Sequence, residues 1–160
     1  YEAFKWFQKA ANRGDPYSQN SLGKMYLRGD GVNQDYKKAV EWFKKAANQE
    51  LDYAQSWLGY MYQYGYGVPQ DWDESFKWFL KAANQDHKFA QNTLGVMYKK
   101  GDGVPQDYAQ AISWFKKAAD QGYADSQTNL GEMYEAGEGV TQNYKKETEI
   151  TDYSMLTIYY

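Results

Sequence analysis

This chain repeats itself every 36 positions: Trp6, Trp42, Trp78 and Trp114 stand at that interval, and so do Leu22, Leu58, Leu94 and Leu130. A period of this length marks a solenoid, in which each unit is one supersecondary element that buries its apolar face only by stacking on the next. That one feature sets the architecture before any other is considered.

The unit is clearest as LGYMYQYGYGVPQDWDESFKWFLKAA, from Leu58 to Ala83. Leu58, Met61 and Tyr62 share one helical stripe, which predicts a first helix over about 52–64. Gly59 recurs as Gly23, Gly95 and Gly131 inside that helix, where glycine costs about 1 kcal/mol relative to alanine. The recurrence implies a neighbour that needs the missing side chain. Gly65 and Gly67, with their counterparts, stop the helix, the first in the left-handed conformation that a Cβ disfavours. Asp71, like Asp35 and Asp107, stands where an N-cap carboxylate accepts backbone N–H bonds. A second helix follows, pairing the rings of Trp72, Trp78 and Phe79 with the small Ala82 and Ala83. The unit is a helical hairpin.

Run along the chain, the pattern predicts a partial repeat over 1–12 and repeats over 16–48, 52–84, 88–120 and 124–146. The fold class is all-α, a solenoid of antiparallel helix hairpins. After Tyr144 the pattern fails, with Glu147, Ile150 and Thr151 where alanine, tryptophan and phenylalanine are expected. Residues 147–160 are read as a divergent terminal cap or tail, helical to about Ile150. YEAFKWFQKAAN aligns with Lys37–Asn48, so the chain opens inside a second-type helix and reads as a fragment of a longer protein.

Net charge −3 and a pI near 5.2 argue against a general nucleic-acid binder. With mean hydropathy −0.91, no apolar run approaches the ~20 residues a membrane helix needs. There is no cysteine for a disulfide or a thiolate metal site, which favours a reducing compartment such as the cytoplasm. The charge is uneven. Residues 1–48 hold nine Lys/Arg against five Asp/Glu, and residues 118–160 hold two against eight, which suits weak head-to-tail self-association.

No catalytic constellation assembles. His87, the single histidine, is read as a solvated linker side chain without a partner. Asp30, Asp102 and Glu138 lie inside Gly-x-Gly turns without the ligand spacing of a calcium loop. Ser21 to Lys24 and Ser113 to Lys116 both fit S-x-x-K, the acylation motif of penicillin-recognising enzymes, but neither S-D-N nor K-T-G accompanies them. Gly65-Tyr-Gly-Val-Pro-Gln lacks the third glycine of a dinucleotide loop. No cofactor and no metal are expected, and the chain reads as a non-enzyme. Lys44, Lys45, Lys81, Lys116 and Lys117 complement the C-terminal dipoles of the second helices.

The combination LG.MY..G.GV.QD followed by a W-F-x-K-A-A helix resembles the Sel-one-like repeat (SLR) family, relatives of the tetratricopeptide repeats. The match covers about residues 1–146. The resemblance implies a right-handed superhelix of antiparallel helix pairs serving as a scaffold for protein complexes, with the first helices lining its inner curve. The absent cysteines depart from the disulfide-stapled secreted members. A rival reading by the same resemblance is a cell-wall or β-lactam-binding hydrolase.

Within that frame, Tyr53, Trp57, Tyr60 and Tyr64 fall at i, i+4, i+7 and i+11, on one face of a first helix. The same positions read Tyr17, Ser21, Lys24 and Arg28, then Phe89, Thr93, Val96 and Lys100, then Asp125, Asn129, Glu132 and Ala136. A position that accepts serine, threonine and asparagine is read as outside the core, so Trp57 is surplus to the fold. These four rings, flanked by Lys24, Arg28, Lys99 and Lys100, are the expected binding surface for a protein or peptide partner.

Overall fold

A computed structural model describes residues 2–140; the expectations for 147–160 lie outside the described residues. Among the described residues eight helices follow one another: α1 (Glu2–Asn12), α2 (Pro16–Arg28), α3 (Tyr36–Ala47), α4 (Asp52–Tyr64), α5 (Trp72–Ala83), α6 (Lys88–Lys100), α7 (Tyr108–Asp120) and α8 (Ala124–Ala136). There is no strand among the described residues, and the closely packed helix pairs are neighbours in sequence. The chain is an all-α repeat solenoid.

The repeated glycines explain how the hairpins close. A Cβ on Gly23 would stand 2.5 Å from the Phe43 ring, one on Gly59 2.8 Å from Phe79, and one on Gly95 2.5 Å from Phe115. Each ring lies flat against a bare stretch of helix, and each of these three phenylalanines is fully buried. The tryptophans beside them are less uniform: Trp114 is buried, Trp42 and Trp78 are half-buried, and Trp6 is exposed. Phenylalanine is therefore the constant core residue of α3, α5 and α7, and the burial of the tryptophan varies.

Local caps set the boundaries. Asp35, Asp71 and Asp107 accept from the backbone N–H of Lys38, Glu74 and Gln110, the bonds that start α3, α5 and α7. Gly29, Gly65, Gly101 and Gly137 end the first helices with φ between 70° and 82°, each returning its N–H to a methionine carbonyl one turn back. In three turns a glutamine amide also caps the helix: Gln34 donates to Leu27 O, Gln70 to Gln63 O and Gln106 to Lys99 O, all at 2.8 Å. This accounts for the glutamine before each capping aspartate.

A ladder of glutamines joins the repeats from within. Gln49 donates to Gln19 Oε1 at 2.9 Å, Gln85 to Gln55 Oε1 at 2.8 Å and Gln121 to Gln91 Oε1 at 2.8 Å. The acceptors Gln19, Gln55 and Gln91 are buried, and each donates its own amide to a carbonyl at the end of the helix before it, Ala11, Ala47 or Ala83. Buried amides with partners on both sides fix the register of one hairpin on the next, since an unpaired one costs about 1–3 kcal/mol.

The lysines near the second-helix C-termini do more than meet a dipole. Lys9, Lys45, Lys81 and Lys117 place their ammonium groups 4.0 to 4.5 Å over the rings of Trp6, Trp42, Trp78 and Trp114. The i, i+3 spacing of Trp and Lys is thus a cation–π pair that covers one face of each tryptophan.

Candidate functional site

Helix α4 carries the densest aromatic surface. The Tyr60 ring lies 4.6 Å from Tyr64, 5.7 Å from Trp57 and 6.0 Å from Tyr66, and Tyr66 stacks on Tyr36 at 5.0 Å. At the other end of the same helix Tyr53 meets the His87 imidazole edge-on at 5.0 Å. Together with Phe89 and Ser56, residues Tyr53, Trp57, Tyr60 and His87 line an open groove of about 430 Å³ between the starts of α4 and α6. Tyr53, Tyr64 and Phe89 are exposed, at 58%, 52% and 39%.

The four aromatic positions are thus joined into one surface, but two expectations need correction. Trp57 is not surplus to the fold: it is half-buried and parallel to Phe43 at 5.7 Å, so part of it belongs to the core of the preceding hairpin. Its counterpart Thr93 is only 9% exposed, which shows that tolerance of a small polar residue does not place a position outside the core. The Thr93 hydroxyl is satisfied by the Phe89 carbonyl at 2.9 Å, one turn back, and the Ser21 hydroxyl does the same with Tyr17. Small hydroxyl residues enter a helix core by this route.

The flanking cations also fall differently. None of Lys24, Arg28, Lys99 or Lys100 lines the groove. Lys24 and Lys99 are half-buried, Arg28 and Lys100 exposed, and Lys99 lies 3.8 Å from Glu132 and 3.7 Å from Glu138. Carboxylates of the next repeat already occupy that ammonium. Glu138 belongs to its turn and to this ion pair.

The reading of His87 as a solvated linker side chain also needs correction. The imidazole is half-buried rather than solvated, and it is the N-cap of α6, its Nδ1 accepting from the Ala90 N–H at 3.3 Å. Burial holds its pKa below the ordinary histidine value, against the opposing pull of the Asp52 carboxylate. The neutral imidazole is the form whose Nδ1 can accept the N–H of the helix start. Burial likewise raises the Tyr60 pKa, with Tyr66, Tyr64 and Tyr36 contributing. Sequence reasoning missed His87, Phe89 and Tyr66 because they lie off α4; a signal was available in His87 standing where Asp15 caps α2.

No group of three or more His, Cys, Asp or Glu side chains suited to a metal ion occurs among the described residues. No described helix is long and apolar enough to cross a membrane.

Among solved structures, the chain is similar to a protective antigen of uropathogenic Escherichia coli that displays an SLR fold, at 47% identity and a TM-score of 0.85 over 87% of this chain. It is similar also to a Sel1 repeat protein from Oxalobacter formigenes, at 37% identity and a TM-score of 0.82 over 87% of this chain. It spans 30% of the first protein's length and 57% of the second's. Cysteine-rich protein B of Helicobacter pylori shares the fold at 23% identity, with a TM-score of 0.65 over 81% of this chain and 92% of that one. No curated protein matches the chain. The Sel1 repeat model matches residues 1–15, 16–51, 52–87, 88–123 and 124–146, which with the hairpin geometry places the chain in the Sel1 repeat family.

Proposed function

We propose that the chain is a scaffold segment that binds a protein or peptide along α4, with Tyr53, Trp57, Tyr60 and Tyr64 as its anchors. Sel1 repeat proteins are generally protein–protein interaction scaffolds and typically not enzymes. The observation that carries this reading is the run of ring contacts beside an open groove in one repeat, at positions where the next repeat has threonine, valine and lysine. Rigid aromatic side chains offer large contact area at little entropic cost, and truncating a central one costs about 2 kcal/mol or more at an interface. His87 and Phe89 extend the surface, so the partner segment spans the start of two repeats.

The test exchanges one repeat's face for another's. A displayed peptide library is selected on the wild-type chain, and the enriched peptides are titrated against Trp57→Thr/Tyr60→Val/Tyr64→Lys, which copies the residues of α6. At least a tenfold loss of affinity with retained helicity is expected. Equal binding by the exchanged chain would place the partner elsewhere on the solenoid.

A further inference from the structure

Trp57 is a tryptophan without a lysine. In the second helices Trp6, Trp42, Trp78 and Trp114 each stand three positions before a lysine whose ammonium lies 4.0 to 4.5 Å over the ring. Three positions after Trp57 stands Tyr60, and among the described residues no cation lies over the rings of Tyr53, Trp57, Tyr60 or Phe89. These four rings line the groove with Ser56 and His87, and the wall carries no charge, since burial holds the imidazole below its ordinary pKa.

Negative charge gathers beside it. A second hollow of about 380 Å³ shares Tyr53, His87 and Phe89 with the groove and adds Asp52, Asp86 and Lys88. Each carboxylate comes directly before a groove residue in the chain, Asp52 before Tyr53 in the first turn of α4 and Asp86 before the cap of α6. Among the described residues neither is in an ion pair, and Asp86 accepts from the Gln91 amide at 3.3 Å. Burial and then the Asp125 charge raise the pKa of Tyr123, which lines the same hollow, so a third carboxylate stands near. Lys88 is the one cation of the hollow's wall, and it is exposed.

We propose that the groove takes an arginine side chain from a basic segment of the partner, its guanidinium against the aromatic wall and the segment running on over Asp52 and Asp86. This occupant presupposes the α4 face as the binding surface and specifies what that face selects. A guanidinium is planar, stacks on aromatic faces and is more weakly hydrated than an ammonium, so an apolar wall suits it. Its attraction to the rings grows as water is excluded. An aliphatic side chain would fill the same space but leave the carboxylates without a partner, and an acidic segment would meet them as like charges.

The probes are synthetic peptides. Those enriched on the wild-type chain and lost on Trp57→Thr/Tyr60→Val/Tyr64→Lys are resynthesised, and they should share an arginine. Its replacement by citrulline, which keeps the shape and removes the charge, should weaken binding at least tenfold. Asp52→Asn/Asp86→Asn should weaken the arginine peptide at least fivefold, flatten the salt dependence of its affinity and leave the citrulline peptide unchanged. The double variant suits the fold, because asparagine tolerates the left-handed backbone of Asp86, at φ 61°, and keeps an oxygen for the Gln91 amide. Enriched peptides that lack a basic residue, or that bind equally well with citrulline, overturn the arginine and leave the α4 surface standing. So does an arginine peptide that binds the double variant as tightly as wild type at low salt. Peptides that bind the exchanged chain as well as wild type remove both the surface and its occupant.

Discussion

Helices α4 and α6 occupy the same place in successive repeats, and they agree wherever the backbone has to be held. Leu58 and Leu94, Gly59 and Gly95, Met61 and Met97 are all buried, and each helix ends on a left-handed glycine. On the face that carries the rings of α4 they part company: Trp57, Tyr60 and Tyr64 in one are Thr93, Val96 and Lys100 in the other. The difference separates what a repeat must keep from what it is free to spend on a surface. It also shows the two sets meeting at one residue, since Trp57 touches both Phe43 and Tyr60.

The comparison breaks first at the shared positions. Phe79→Ala and Phe115→Ala should each cost about 3–5 kcal/mol in chemical denaturation, because both remove a fully buried ring from between two helices. A cost confined to one repeat would mean that the two hairpins are not built alike. Next come the glycines beneath those rings: Gly59→Ala and Gly95→Ala should destabilise by about 1–3 kcal/mol through overpacking, read as a lowered melting temperature. Their stability unchanged would show that the rings can withdraw.

The variable face should respond more weakly. Trp57→Thr gives up the parallel contact with Phe43, worth about 0.5–1.5 kcal/mol beyond the area it covers. A melt as damaged as that of Phe79→Ala would assign Trp57 wholly to the core and leave no anchor there. The smallest effect belongs to the cap between the two helices. Because burial lowers the His87 pKa in the fold, the unfolded chain binds the proton more readily, and stability falls as pH drops below about 6.5. His87→Asn, which keeps a cap acceptor without titrating there, should flatten that part of the pH profile in thermal melts. A slope identical to wild type would mean that the imidazole titrates as it does in water.

The fold could be read from the sequence because its signals are local and repeated. Helices α3, α5 and α7 start on an aspartate cap and α2, α4, α6 and α8 end on a left-handed glycine, each device lying within its own repeat, and α4 spans the expected residues 52–64. The glycine inside α2, α4 and α6 pointed to a close neighbour, and the neighbour is a phenylalanine ring. The surface was harder to read. Helical spacing put Tyr53, Trp57, Tyr60 and Tyr64 on one face, but it carries no information about what the adjacent repeat contributes, so His87 and Phe89 were missed. Lys99 shows the same gap: a cation near the face in sequence is drawn toward Glu132 and Glu138, which come 33 and 39 positions later. The glutamine ladder was invisible for the same reason, being made of pairs 30 residues apart.

That every closely packed helix pair is adjacent in sequence has a mechanical meaning. A tensile load applied through the two ends of such a chain is not borne by a clamp of strands shearing together; it arrives at one hairpin boundary at a time. Helices peel away singly, each releasing only the glutamine rungs and rings it shares with its neighbours, and they zip back as independently when the load is removed. On this argument the solenoid is a soft spring that lengthens stepwise, and a ligand bridging the starts of α4 and α6 would staple that stretch of the spring.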